Sequence, residues 1–196
     1  MDFFVILASD ICWLEMEKIK LYDKTFRLYI PYERISEAID RVADKINADF
    51  RGCTDIPVVL CILNGSVLFT AELMKRLEFN CELVSMKLSS YSGTISTGVV
   101  RNLLGPTSDL SGRRVIVVED IVDTGNTIVA LSEYMKETKA ADYKVCTMLL
   151  KPDVYKKDVN LDYVGMEIPN RFIVGFGLDY DGIGRNYKDI YVLDEE

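Results

Sequence analysis

Apolar and polar positions follow two periods along this chain. Val58–Leu63 (VVLCIL) and Val115–Val118 are unbroken apolar runs bounded by turn residues. Runs that short suit strands buried on both faces, as in a parallel sheet. Leu83–Leu88 alternates loosely and Tyr143–Leu150 is again apolar-rich, which predicts two more strands. Between them the spacing is helical. Ile35, Ile39, Val42, Ala43 and Ile46 predict an amphipathic helix, with Pro31 upstream, Ser36 as N-cap and Asn47 at the end. Leu68, Ala71, Leu73 and Leu77 predict a second helix; Ile128, Leu131 and Met135, with Tyr134, predict a third that starts at Thr127. Strands and helices in turn over 58–150 predict an α/β fold with a mostly parallel sheet. Ser89–Ser111, rich in Ser, Thr and Gly, reads as a long loop, a lid or an excursion.

Composition narrows the class. The chain has 196 residues, 49% of them hydrophobic, enough for one sizeable core with room for a small subdomain. No run of about 20 apolar residues suggests a membrane span. The net charge of −8, with pI near 4.7 and no Lys/Arg block, argues against binding nucleic acid through a broad basic face. Cys12, Cys53, Cys61, Cys81 and Cys146 are odd in number and lack CxxC spacing, so they read as reduced core residues of a cytoplasmic protein. The absence of histidine removes Ser-His-Asp catalysis and most zinc sites, leaving Asp, Glu, Lys, Tyr or a bound metal for proton chemistry. Residues 1–15 make a poor signal peptide and read as an N-terminal extension to a single domain at 16–196, because Met16-Glu17-Lys18 resembles an ordinary start.

The chemistry gathers where the Val115–Val118 strand meets Glu119, Asp120 and Asp123 and then turns through Thr124, Gly125, Asn126 and Thr127 into a helix. Backbone amides and the positive end of the helix dipole make an anion site there, typically for phosphate. The acids beside it suit ribose hydroxyls, a divalent cation or a developing positive charge. Together they point to a phosphorylated sugar.

This run resembles the phosphoribosyl-diphosphate loop of the type I phosphoribosyltransferases. A second block, Glu167–Tyr180, resembles the base-binding part of that family's hypoxanthine-guanine branch. The resemblance covers about residues 30–193. It implies a parallel twisted sheet flanked by helices, a core at about 30–151, and a small hood formed by about 152–196 with N-terminal residues. It also implies transfer of 5-phosphoribose to N9 of hypoxanthine or guanine with release of pyrophosphate, Mg²⁺ as cofactor, and a homodimer or homotetramer. On the matching positions, Thr124 to Thr127 would hold the 5′-phosphate, and Glu119 and Asp120 would meet the ribose hydroxyls or the metal. Asp123 would accept a proton or hydrogen bond from N7 of the base, and Lys151 would polarise O6. Phe172 would stack on the purine, the Ile173 backbone would read its edge, Asp179 would help hold Mg²⁺, and Arg185 would meet pyrophosphate. The turn at Asn64 and Gly65 would bind pyrophosphate, with Asn64 standing where the family often has Lys or Arg. Ser90 and Tyr91 match the Ser-Tyr pair of the closing loop.

A dinucleotide-binding reading is rejected on the sequence, and two alternatives stay open. Gly182-Ile183-Gly184 lacks the third glycine and the strand-to-helix setting of a dinucleotide fingerprint. Another phosphoribosyltransferase, for adenine, xanthine or orotate, is the nearer rival; Lys151 has no use in an adenine site, whereas xanthine is harder to separate. A non-catalytic regulator that senses phosphoribosyl diphosphate is the rival from another class, opposed by the acidic charge and the intact acid and Lys set.

Overall fold

The computed structural model describes residues 18–90, 100–106 and 108–194. Residues 1–15 and Tyr91 lie outside them. The chain runs β1 (Lys18–Leu21), β2 (Lys24–Ile30), α1 (Tyr32–Asp49), β3 (Val58–Leu63), α2 (Val67–Met74), β4 (Glu82–Ser90), β5 (Val100–Leu104), β6 (Arg114–Val122), α3 (Asn126–Glu137), β7 (Asp142–Leu150), β8 (Tyr163–Glu167), β9 (Ile173–Val174) and β10 (Ile190–Leu193).

The main sheet has the order β5-β4-β3-β6-β7-β8. β4, β3, β6, β7 and β8 are parallel, and β5 joins the edge antiparallel to β4. Alternation along β6 explains why its apolar run is continuous. Ile116 and Val118 pack with α1 and α2, through Ile35, Ile39, Phe69 and Leu73. Val115 and Val117 pack on the other face with Ile128, Leu131 and Met135 of α3. All four β6 residues are at most 1% exposed, and each buried Val or Ile contributes about 1.5–3 kcal/mol relative to an exposed one.

A second sheet, antiparallel in the order β1-β2-β10-β9, forms the hood. Its own small core joins Ile19, Leu21, Phe26, Val174 and Tyr191. Asp189 ties it to the main layer, since its Oδ1 accepts the Tyr32 amide at 2.7 Å and so caps α1 from 157 residues away.

Three expectations are corrected. Ser36 is not the N-cap of the first helix; Pro31 holds that position, and Ser36 lies inside α1, accepting a bond from Arg76 at 2.7 Å. The second helix is shorter than its spacing suggested: α2 ends at Met74, leaving Leu77 beyond it, and buries Phe69, Thr70 and Leu73 while Ala71 is exposed. The stretch read as a loop from Ser89 to Ser111 contains β5, which pairs with β4 through Ser90↔Val100 to Lys87↔Leu104. Cys61 and Cys146 are buried as expected, whereas Cys53 and Cys81 are only half-buried; all four are free thiols.

Candidate active site

Open α/β sheets bind ligands at the carboxyl ends of their strands. Here β3, β6 and β7 deliver two groups of residues to that edge, and the hood adds a third. A cavity of about 650 Å³ around Phe50, Cys53, Asp55 and Phe79 lies instead at the amino ends of β3 and β4, away from them.

The register of β6 with β7 pairs Val122 with Leu150, so Asp123 and Lys151 leave the sheet side by side. The Lys151 amide donates to the Val122 carbonyl at 2.9 Å, which fixes that level. Lys151, only 6% exposed, donates through Nζ to Asp123 Oδ2 at 2.7 Å and to Asn170 Oδ1 at 3.2 Å. The two residues expected to face the purine thus meet as an adjacent acceptor and donor.

Beyond Asp123 the chain makes the turn into α3. Gly125 is the N-cap with φ 81, a left-handed conformation that a side chain would strain, and a Cβ there would come within 2.5 Å of Tyr155 Cε2. No side chain caps the helix, so its first-turn amides remain available to an anion. Thr124 lies in the turn, and Asn126 and Thr127 open the helix.

The second group surrounds Asp120. Its Oδ1 accepts the Ile121 amide at 2.8 Å, while Oδ2 lies 1.5 Å from where a Cβ on Gly65 would stand. Only glycine allows the turn after β3 to approach that carboxylate. Gly177, with φ +97, fits as closely on the other side, its notional Cβ 2.0 Å from the Gly65 carbonyl oxygen. Arg185 donates to the Gly177 carbonyl at 2.6 Å and forms an ion pair with Asp179, whose Oδ2 accepts the Gly182 amide at 2.7 Å. Burial pushes the Asp120 carboxyl up to about 6; backbone hydrogen bonds and Arg185 oppose the rise, and Asp179 adds to it. Burial, with Asp120 beside it, also raises Glu119 well above the usual carboxylate range.

Asn64 is exposed at the head of this turn, after a cis Leu63–Asn64 peptide. Fewer amides are free here than the sequence suggested, because those of Ser66 and Val67 already reach the Ile62 and Asn64 carbonyls at 3.4 Å.

The hood supplies the third group. Phe172 is 43% exposed, with Tyr180 edge-on at 5.8 Å and Phe26 tilted at 5.9 Å, which leaves ring area for a planar ligand. The Leu193 amide bonds to the Phe172 carbonyl, and Ile173 pairs with Val192. Antiparallel pairs alternate, so the Ile173 amide and carbonyl point away from β10 at the open edge of the sheet. Tyr180 is itself held by Asp23, to which its hydroxyl donates at 2.8 Å; that bond is the main cause pushing the phenol up to about 12.

Asn170, Tyr155 and Asp23 were not singled out in the sequence, where nothing in their spacing marks them. Ser90 ends β4, and Tyr91 lies outside the described residues. Glu119, Asp120 and Asp179 do not form a ready three-ligand cage: among the described residues no three Asp, Glu, Cys or His side chains are grouped to hold a cation by themselves.

Acids at the end of a parallel strand, beside an uncapped helix N-terminus, fit a phosphoribosyltransferase fold. The family model for the phosphoribosyl transferase domain matches residues 31–181, and the chain belongs to that family. Within it the likeness is to the hypoxanthine-guanine branch. The chain is 39% identical over 171 residues to the hypoxanthine-guanine phosphoribosyltransferase of Streptococcus pneumoniae, covering 87% of this chain and 94% of the relative. A hypoxanthine phosphoribosyltransferase of Staphylococcus aureus superposes with TM-score 0.80 at 32% identity, covering 86% of this chain and 91% of that one. The Trypanosoma cruzi enzyme in complex with the product IMP gives TM-score 0.80 at 32% identity, over 93% and 97% of the two chains. The activity is that of a purine-salvage transferase that forms IMP.

Proposed function

We propose that this chain joins hypoxanthine, and guanine as well, to the 5-phosphoribose of phosphoribosyl diphosphate through the Asp123–Lys151 pair. The pair itself carries the reading. A 6-oxopurine presents N7–H as donor beside O6 as acceptor, and Asp123 with Lys151 presents the complementary acceptor and donor at 2.7 Å separation. Lys151 bonds O6 and draws electron density toward it, while Asp123 takes the N7 proton. N9 forms its bond to C1′ as the bond from C1′ to the pyrophosphate oxygen breaks, giving IMP and pyrophosphate. Asp123 retains the proton until solvent takes it.

The ribose develops oxocarbenium character in this step, and the carboxylates of Glu119 and Asp120 stabilise it through the 2′- and 3′-hydroxyls. Free amides at the start of α3, with the Thr124 and Thr127 hydroxyls, hold the 5′-phosphate. Phe172 stacks on the purine, and the outward backbone of Ile173 reads its edge. Arg185 and the Asn64–Gly65 turn receive pyrophosphate.

The donor set fits Mg²⁺, which is held by one or two carboxylates together with substrate phosphates rather than by an all-protein cage. Asp120 and Asp179, with Glu119 behind them, would hold it. Bound there, Mg²⁺ neutralises charge on the leaving group. We place the reaction in the cytoplasm, in a homodimer or homotetramer. Among the described residues no helix is long and apolar enough to cross a membrane.

The Lys151→Gln variant tests this reading. It should raise KM for hypoxanthine roughly 10- to 100-fold, the worth of a hydrogen bond from a charged donor, and leave KM for phosphoribosyl diphosphate nearly unchanged. Equal loss for both substrates would remove the O6 contact.

A further inference from the structure

An ammonium group has three protons to donate. In Lys151 one goes to Asp123 Oδ2 at 2.7 Å and a second to Asn170 Oδ1 at 3.2 Å. The two acceptors come from different layers. Asp123 follows β6, whereas Asn170 stands at the apex of a tight turn, closed by the Arg171 amide on the Pro169 carbonyl at 2.8 Å, that leads straight into Phe172 and β9. Lys151 is nearly buried while Asn170 is on the surface, so the amide reaches inward to the lysine.

The acceptors differ in charge, and that decides what happens when the base arrives. Asp123 is called away to N7–H and can no longer hold the ammonium as firmly. The Asn170 amide has no competing role and keeps its bond. Being neutral, it orients Lys151 without cancelling the charge that polarises O6. A long flexible side chain left with neither acceptor would lose rotamer order, at an entropic penalty when it had to bond O6.

We propose that Asn170 is the positioning residue that aims Lys151 at O6, and so sets the preference for a purine carrying a 6-oxo group over one lacking it. This rests on the reading of Lys151 as the O6 donor. It also links the stacking platform to the proton-transfer pair, because the residue that holds Lys151 stands two positions from Phe172.

The test uses the full chain and two variants at this exposed position. Asn170→Leu removes the acceptor at similar volume, and Asn170→Asp keeps one. Steady-state rates give kcat and KM for hypoxanthine and phosphoribosyl diphosphate, and unsubstituted purine serves as a competitive inhibitor with no O6. Asn170→Leu should raise KM for hypoxanthine roughly 5- to 50-fold, with a smaller fall in kcat and KM for phosphoribosyl diphosphate within about twofold. The Ki of unsubstituted purine should not move, Asn170→Asp, which restores an acceptor but pairs with the ammonium charge, should recover KM for hypoxanthine more than kcat, and Asn170→Leu should add nothing in a Lys151→Gln background. An unchanged hypoxanthine KM in Asn170→Leu, or equal weakening of unsubstituted purine, would overturn the proposal while leaving the transferase reading intact. A parent protein that forms no IMP from hypoxanthine would overturn both.

Discussion

Asp123→Asn removes the carboxylate proposed to accept the purine proton and changes little else. The side chain keeps its size and one oxygen acceptor, so Lys151 retains a partner there as well as Asn170. The Asp123 side chain is 45% exposed, so solvent screens the ion pair, and losing its charge should lower stability by about 1 kcal/mol at most. For a chain of this size that is about 2–4 °C in Tm. A positioned proton acceptor contributes about 10²- to 10⁴-fold in rate. The expected result is therefore a kcat lower by roughly 10²- to 10⁴-fold with KM for phosphoribosyl diphosphate nearly unchanged. IMP formation followed at saturating substrates, with a thermal melt of the same preparation, measures both. Turnover close to that of the parent in a folded Asp123→Asn protein would refute the proton-transfer role.

Three further outcomes follow from the geometry. Asp120 has a folded pKa raised to about 6 by burial, above its unfolded value near 3.8. The folded state therefore binds the extra proton between those values, and this group's contribution to stability falls as pH rises from about 4 to 6. The proposed ribose and metal contacts of Asp120 need the ionised form, so kcat/KM for phosphoribosyl diphosphate should fall below about pH 6, and Asp120→Asn should be weak at every pH and lack that limb. Gly65→Ala drives a methyl group into Asp120 Oδ2 and should raise KM for phosphoribosyl diphosphate at least about 10-fold by displacing turn or carboxylate. Asp189→Ala leaves the Tyr32 amide uncapped and should lower stability by about 1–2 kcal/mol in a urea melt, with both KM values unchanged.

The sheet was legible where burial on both faces made the sequence continuous. Val58–Leu63 and Val115–Val118 needed no tertiary information, because any side chain in a central parallel strand meets a helix. The hood strands gave no such signal. β2 buries only Phe26 and Ile30 of its seven residues, β9 is two residues long, and each owes its existence to a partner far along the chain. Ser36 misled because a capping residue type is common inside helices, while the group that does cap α1, Asp189, is far away in sequence. The same divide holds at the site. The β6 loop announces itself, since strand, acids and turn are contiguous. Asn170 does not, because its contact with Lys151 exists only once the hood has folded over the strand ends.

Incubating the protein with phosphoribosyl diphosphate, Mg²⁺ and, separately, hypoxanthine, guanine, xanthine and adenine tests the central claim most directly. Mass spectrometry of the nucleotide and an assay of released pyrophosphate read the result. Hypoxanthine should give IMP and pyrophosphate in equal amounts, guanine should give GMP, and adenine should give no nucleotide. Conversion of adenine in preference to hypoxanthine, or no nucleotide from any base, would contradict the Asp123–Lys151 account.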